Sequence, residues 1–287
     1  MSSSLVASRT GGLEIAYARL SPSPRAGDVE SSPPTIIFLH GSESCHLEFS
    51  RVAQFLKDDY EILLVDLPGH SRSKAIPFSF DNAIGGILNL VRTQVSGSKV
   101  HLVGLSLGGF ISLEFARRHP ENVLSVWCTG CAPFSGFGLW LRSQSRLLSA
   151  LICTAGRLVP ESVFWASLGA RLDPIPGFRA EVRSNQTMDM LRPMFDELVS
   201  ITLDDLARIR GVRVAIVAGG RHDSVEDTIK AGRVLQSGNP ECAAFVVRQA
   251  IHWWSLQFPE EFAAGIRAWI ERREMPKIYE PLLAPAS

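Results

Sequence analysis

The chain has 287 residues with 29 basic and 29 acidic side chains, so no long-range field draws it to a polyanion, which argues against nucleic acid as its main partner. With 46% hydrophobic and 20% charged residues it can bury a sizeable core, and 23 glycines with 17 prolines fit neither a collagen-like nor a low-complexity chain. Its length suits about two domains, or one domain carrying a large insertion.

The start, Met1 to Arg9, lacks the apolar centre of a signal peptide, and no apolar run approaches the roughly 18 residues of a membrane span. A cytoplasmic protein is the expectation; the Ser- and Arg-containing stretch before Glu14, free of acids, leaves a mitochondrial-type signal as the alternative. Leu13 to Ala18 alternates loosely and reads as an early strand. A Ser/Pro-rich exposed loop follows from Ser21 to Pro34, because proline fixes φ and removes a ladder donor. Thr35 to Leu39 is then a short continuous apolar run bounded by turn residues, the pattern of a strand buried on both faces of a parallel sheet. The same pattern returns at Glu61–Val65, Val100–Leu105, Val123–Cys128, Val212–Ala218 and Ala243–Val247.

Helical spacing fills several gaps. Phe49, Val52, Phe55 and Leu56 share a face, as do Ile84, Ile87, Leu88, Val91 and Val95, with Asp81 near that helix's start. Phe262, Ile266, Trp269 and Ile270 form a third stripe behind Pro259. Strands alternating with helices predict an α/β fold built on a mostly parallel, doubly wound sheet. Residues 132–206 separate two strand candidates by far more than one crossover helix and read mainly helical, which predicts an inserted helical cap. The expected units are a first core part over 1–131, the cap over 132–206, a second core part over 207–275 and a C-terminal surface arm over 276–287.

The sharpest local signal is Gly104-Leu105-Ser106-Leu107-Gly108, directly after a buried-strand pattern and opening a helix. To expose a serine hydroxyl at a strand tip the chain must turn sharply, and side chains two residues either side would collide; both flanks must therefore be tiny. Gly109 keeps the helix close to the sheet. A phosphate-cradling loop or a plain turn is the competing reading of these glycines.

A nucleophilic serine needs a base. His252 follows the Ala243–Val247 strand and precedes the last helix, which puts it at the carboxyl edge of the sheet with Ser106, where sites form in open α/β sheets. His101 lies inside a strand and His119 ends a helix, both structural positions; His40, His46, His70 and His222 sit on loops. The base needs an anionic partner to fix its tautomer. Asp223, after the turn Gly219-Gly220-Arg221-His222, reaches the same edge, while Asp227 reads as a cap for the next helix.

The order Ser106, Asp223, His252 belongs to one architecture. Here the sequence resembles the α/β-hydrolase superfamily, in its capped, esterase-like branch. The resemblance spans Thr35 to Arg273 and rests on Leu39-His40-Gly41-Ser42, Asp66 to Ser73, Gly104 to Gly109, Gly220 with Asp223, and His252 with Pro259 to Phe262. Ser71 departs from it, standing where the family pattern has glycine. The resemblance implies an oxyanion hole from the backbone N–H groups of Ser42 and Leu107, because fixed amides stabilise the charge that acyl transfer develops. It also implies that Asp66 to Ser73 shapes a turn and takes no part in the reaction.

Two other features carry weaker chemistry. Cys128-Thr129-Gly130-Cys131 has redox-motif spacing, yet it ends a strand with no helix start after it, so the cysteines read as small apolar residues; all five cysteines are irregularly spaced. Within the cap, Arg142, Arg146 and Arg157 lie among Phe134, Phe137, Leu139, Trp140, Leu147, Leu148 and Leu151, with no acid from Ala132 to Pro160. The expectation is a cap helix packing its apolar face over the core; the alternative is a basic amphipathic lid that accepts an acyl chain or meets an acyl carrier or membrane surface. Trp140 and Trp253 are the candidate substrate contacts; of Trp253 and Trp254, which flank the base, one is expected to wall the pocket and the other to pack in the core.

These readings predict a serine hydrolase for an ester, thioester or lactone of a small apolar molecule, with a small-molecule substrate and neither metal nor cofactor. The alternatives are an acyl transferase or C–C lyase on the same scaffold, a non-hydrolytic small-molecule receptor, and a dithiol oxidoreductase using Cys128 and Cys131.

Overall fold

The computed structural model describes residues 12–23, 33–169 and 174–284. The targeting-type start and much of the loop expected over 21–34 lie outside the described residues. Among the described residues eight strands form one sheet: β1 Tyr17–Leu20, β2 Thr35–Leu39, β3 Glu61–Val65, β4 Val100–Leu105, β5 Val123–Thr129, β6 Val214–Gly219, β7 Ala243–Val247 and β8 Glu280–Pro281. Their spatial order is β1-β3-β2-β4-β5-β6-β7-β8, parallel from β3 to β7 and antiparallel at both edges.

The helices, in chain order, are α1 Ser50–Gln54, α2 Phe80–Gln94, α3 Leu107–Arg118, α4 Gly136–Ser143, α5 Ser145–Leu158 and α6 Glu161–Ser167, then α7 Phe178–Asn185, α8 Met188–Leu198, α9 Leu203–Leu206, α10 Val225–Gly238, α11 Trp254–Gln257 and α12 Pro259–Ile270. Alternate residues of each central strand serve opposite faces. Ile37, Leu39, Leu102, Val214 and Ile216 join the cluster against α2, α3 and α8, while Ile36, Phe38, Val103, Ala215 and Val217 join the one against α1 and α12. Both faces are covered, which is why these strands read as unbroken apolar runs.

Several boundaries move. The early strand expected from Leu13 to Ala18 runs from Tyr17 to Leu20, because its register is set by antiparallel pairing of Tyr17 with Val65. The strand expected from Val212 begins at Val214, leaving Val212 buried beneath it, and the one expected to stop at Cys128 continues to Thr129. The stripe from Phe49 to Leu56 is split between a 3₁₀ turn over His46–Phe49 and the short α1. The expected C-terminal arm runs along the surface with one anchor: Tyr279 is buried against Trp254 and Phe245, and the exposed Glu280–Pro281 pairs with β7. The cap of α10 is Ser224, whose hydroxyl accepts the Asp227 N–H at 3.2 Å, so Asp227 stands within the first turn of the helix.

Between β5 and β6 the described residues form α4 to α9. α5 packs on α8, whose Met190, Leu191 and Met194 are buried in the core. The end of α7 is pinned to the loops after β2 and β3 by one side chain. Asn185 Nδ2 donates to the carbonyls of Ser44 (2.7 Å) and Glu43 (3.1 Å) and to Ser71 Oγ (3.1 Å), and its Oδ1 accepts the Ser71 N–H at 2.7 Å. Ser71 takes φ +45°, the left-handed conformation that glycine adopts without penalty. The Asn185 bonds therefore hold the turn where serine departs from the family pattern.

Candidate active site

Ser106 is the hinge between β4 and α3, at φ +52° and ψ −116°. A strained backbone at a non-glycine residue persists only where its surroundings over-determine it. Here they do: its N–H donates to Thr129 O at 2.8 Å, and Gly108 N–H donates to His40 O at 3.0 Å. A Cβ on Gly108 would lie 1.9 Å from Leu39 O, and one on Gly104 would lie 2.3 Å from Gly108 O. Backbone occupies the space on both flanks, so only glycine fits either side of the serine.

His252 and Asp223 meet at the same edge. Asp223 Oδ1 accepts from His252 Nδ1 at 2.5 Å, and its Oδ2 accepts the Gly219 N–H at 2.7 Å. The carboxylate is thus fixed by the end of β6 while it fixes the imidazole tautomer, leaving Nε2 as the free acceptor. Gly130, which follows the Thr129 that binds Ser106, touches His252: a Cβ there would lie 2.6 Å from His252 Cε1. Serine and imidazole therefore converge on the end of β5. Among the described residues the Ser106 hydroxyl makes no hydrogen bond, which leaves its oxygen uncommitted at this edge.

The residues proposed for the oxyanion hole lie beside the serine. Gly41 is close enough that its Cβ position is 3.7 Å from Ser106 Cβ. The N–H groups of Ser42 and Leu107 have no acceptor among the described residues. His40 braces this loop as a neutral ring: Nδ1 donates to Gly41 O at 2.7 Å, Nε2 accepts the Leu67 N–H at 3.1 Å, and burial lowers its pKa to about 4.

One neighbour was not singled out by the sequence. Glu48 is fully buried, accepts the Gly41 N–H at 3.0 Å and meets Ser255 Oγ at 3.4 Å. Burial pushes its carboxyl up to about 7, opposed by hydrogen bonds and by the charge of His252. The available signal was an acid set between Leu47 and Phe49 in an apolar stretch. That pattern gives no partner, so it could not say where the acid points.

The other candidates sort clearly. Trp254 is core, its Nε1 donating to Thr129 Oγ1 at 3.0 Å, and Trp253 packs against Phe164 and Phe178 beside the base. Trp140, the other candidate substrate contact, is 58% exposed, stacks on Phe137 and does not line the cleft at His252. That cleft, about 280 Å³, is lined by Gly130, Phe134, Gly138, Arg142, Asp223 and His252. Arg142 lies 4.0 Å over the Phe134 ring and makes no ion pair among the described residues, so the cleft wall is only partly apolar. Cys128 and Cys131 are buried free thiols, and burial raises the Cys131 thiol well above its usual range, the reverse of what a redox nucleophile needs.

Cys45, His46 and Asp66 have donor atoms within 4.8 Å of one another. Asp66 is already engaged by His46 at 2.8 Å and Arg72 at 2.5 Å, and burial pushes the Cys45 thiol up, so the trio reads as a packed ion-pair brace. Burial alone would raise the Asp66 carboxyl, but the His46 contacts outweigh it and hold it at about 2. No helix among the described residues is long and apolar enough to cross a membrane.

Comparison with known proteins agrees with this architecture. The family model for the alpha/beta hydrolase fold matches residues 34–151. An AB hydrolase superfamily protein of Gibberella zeae is 26% identical over 86% of this chain and 83% of its own. A pimeloyl-[acyl-carrier protein] methyl ester esterase of Chromobacterium violaceum is 29% identical over 83% of this chain and 94% of its own. Among solved structures, a thermophilic esterase from Thermogutta terrifontis superposes with a TM-score of 0.67 at 17% identity, covering 90% of this chain and 93% of that one, a likeness of fold. The parallel sheet, the strained serine turn after β4 and these matches agree in giving the chain the alpha/beta hydrolase fold.

Proposed function

We propose that the protein is a serine hydrolase acting on an ester or thioester of a small, largely apolar molecule. One observation carries the reading: the strained Ser106 turn and the Asp223–His252 pair at 2.5 Å converge on the end of one strand. His252 Nε2 takes the hydroxyl proton as Ser106 Oγ attacks the carbonyl carbon, and the imidazolium is stabilised by Asp223. The oxyanion is met by the N–H groups of Ser42 and Leu107. His252 returns the proton to the leaving alkoxide or thiolate, water then attacks the acyl-enzyme by the same route, and the acid is released. Glu48 acts as a positioning residue, holding Gly41 and hence the donor at Ser42.

The helices from α4 to α9 act in this reading as a cap over 132–206, tied down through Asn185 and lending Gly138 and Arg142 to the cleft wall. The ester chemistry named for the Chromobacterium relative favours carboxylic esters as the first substrates to try. Ser106→Ala, assayed on a panel of esters, thioesters and lactones, is expected to lose about 10⁵–10⁶ in kcat with an unchanged melting temperature. Full turnover in that variant contradicts the assignment.

A further inference from the structure

Helix α5 turns three of its leucines outward. Its buried residues are Ser145, Ser149 and Gly156, flanked by the partly buried Leu148, Ile152 and Cys153. Leu147, Leu151 and Leu158, which share the opposite helical face, are 61%, 57% and 74% exposed. The rotation of the helix is fixed. A Cβ on Gly156 would lie 1.6 Å from Gln186 Oε1, and Gly156 O accepts from Arg179 Nη2 at 3.1 Å. Next to these leucines, α4 presents Phe137 (72% exposed) stacked on Trp140 at 5.4 Å.

The charge on this face is equally one-sided. Arg146 and Arg157 are exposed beside the leucines and make no ion pair among the described residues. No acid occurs from Asn122 to Pro160. Some exposed cations elsewhere are paired within the fold, as Arg248 is with Glu280, Lys230 with Glu226 and Arg267 with Asp59, while on this face the two arginines lie beside an acid-free stretch of apolar side chains.

We infer that the outer face of α4 and α5 is a docking surface for an anionic lipid membrane. Leucines with an aromatic pair insert into the interfacial region, and unpaired arginines at the same level attract anionic headgroups. The expectation that this stretch packs on the core holds for Phe134 and Leu148, while Leu147 and Leu151 face outward. A second copy of the chain is disfavoured as the occupant, because a symmetric contact would set Arg146 and Arg157 against their own copies with no carboxylate from this stretch to pair them. The inference is independent of the serine chemistry.

Full-length protein is sedimented with vesicles of mixed phosphatidylglycerol and phosphatidylcholine, and with vesicles of phosphatidylcholine alone. The expected result is binding to the anionic vesicles that weakens with added salt. Arg146→Gln with Arg157→Gln is expected to weaken it by about 30-fold, since each cation near such a surface contributes about fivefold. Leu147→Ser with Leu151→Ser is expected to reduce it to the level of neutral vesicles. Both variants keep the melting temperature and covalent labelling at Ser106, which separates a failure here from a failure of the hydrolase reading. Absence of binding to anionic vesicles overturns the inference, as does equal binding to neutral vesicles that neither variant changes. A concentration-dependent dimer that the leucine variant dissolves also overturns it, by giving the face to a second copy.

Discussion

The central sheet and the helices inserted between β5 and β6 use apolar residues in contrasting ways. In the sheet, Ile36, Ile37, Leu39, Leu102 and Ile216 are wholly buried, alternating between two cores, and the backbone at the strand ends is held tightly enough to strain Ser106. In α5 the inward face mixes Ser145, Ser149 and Gly156 with the partly buried Leu148 and Ile152, while three leucines face out. Fully burying a leucine contributes about 1.5–3 kcal/mol, so the intramolecular fold alone gives no account of that orientation. The contrast separates two tasks. Under the proposed readings, the sheet positions reacting groups and the inserted helices set what the molecule meets.

The sharpest way to break this division is at the sheet edge. Asp223→Asn keeps the shape of the side chain but presents an amide to His252 Nδ1, favouring the wrong tautomer. A loss of about 10⁴ in kcat with an unaltered melting temperature is expected from steady-state kinetics and calorimetry. A loss below tenfold would remove Asp223 from the mechanism. Next in size is a matched pair of truncations, read by denaturant unfolding. Leu102→Ala in β4 is expected to cost about 2–5 kcal/mol, and Leu151→Ala in α5 less than about 0.5 kcal/mol. Equal costs would erase the contrast between the two regions.

Glu48 sharpens the account in a different way. Its folded-state pKa is raised from 4.5 to about 7, chiefly by burial. Below the lower value both folded and unfolded chains hold the proton; between the two, the unfolded chain releases it and the folded chain keeps it. This group's contribution to stability is therefore full at low pH and declines as pH rises through that window. Glu48→Gln, neutral throughout, is expected to flatten the dependence of melting temperature on pH between about 4.5 and 7. An unchanged slope would mean that Glu48 is not held neutral by its surroundings.

Much of the sheet was legible in the sequence because a strand buried on both faces needs an uninterrupted apolar run, and few other elements do. The serine turn was legible because steric exclusion dictates both glycines, and the contacts at Gly104 and Gly108 bear out that reason. The supporting groups were harder to see. Asn185 and Ser71 are 114 residues apart and meet only through the fold. Glu48 is an acid whose partners are a backbone N–H and a distant serine. Tyr279 is buried although its segment has no periodicity. In α5 the apolar stripe was visible but its direction was not, since serine and glycine faces also pack closely when a helix must approach its neighbour.

The central claim is that Ser106 forms the covalent bond. The protein is incubated with a fluorophosphonate, digested, and the adduct mapped by mass spectrometry, with His252→Ala in parallel. A single adduct on Ser106, formed at least about 10³-fold more slowly without the imidazole, is the predicted result. An adduct elsewhere, or equal labelling with and without His252, would contradict the account.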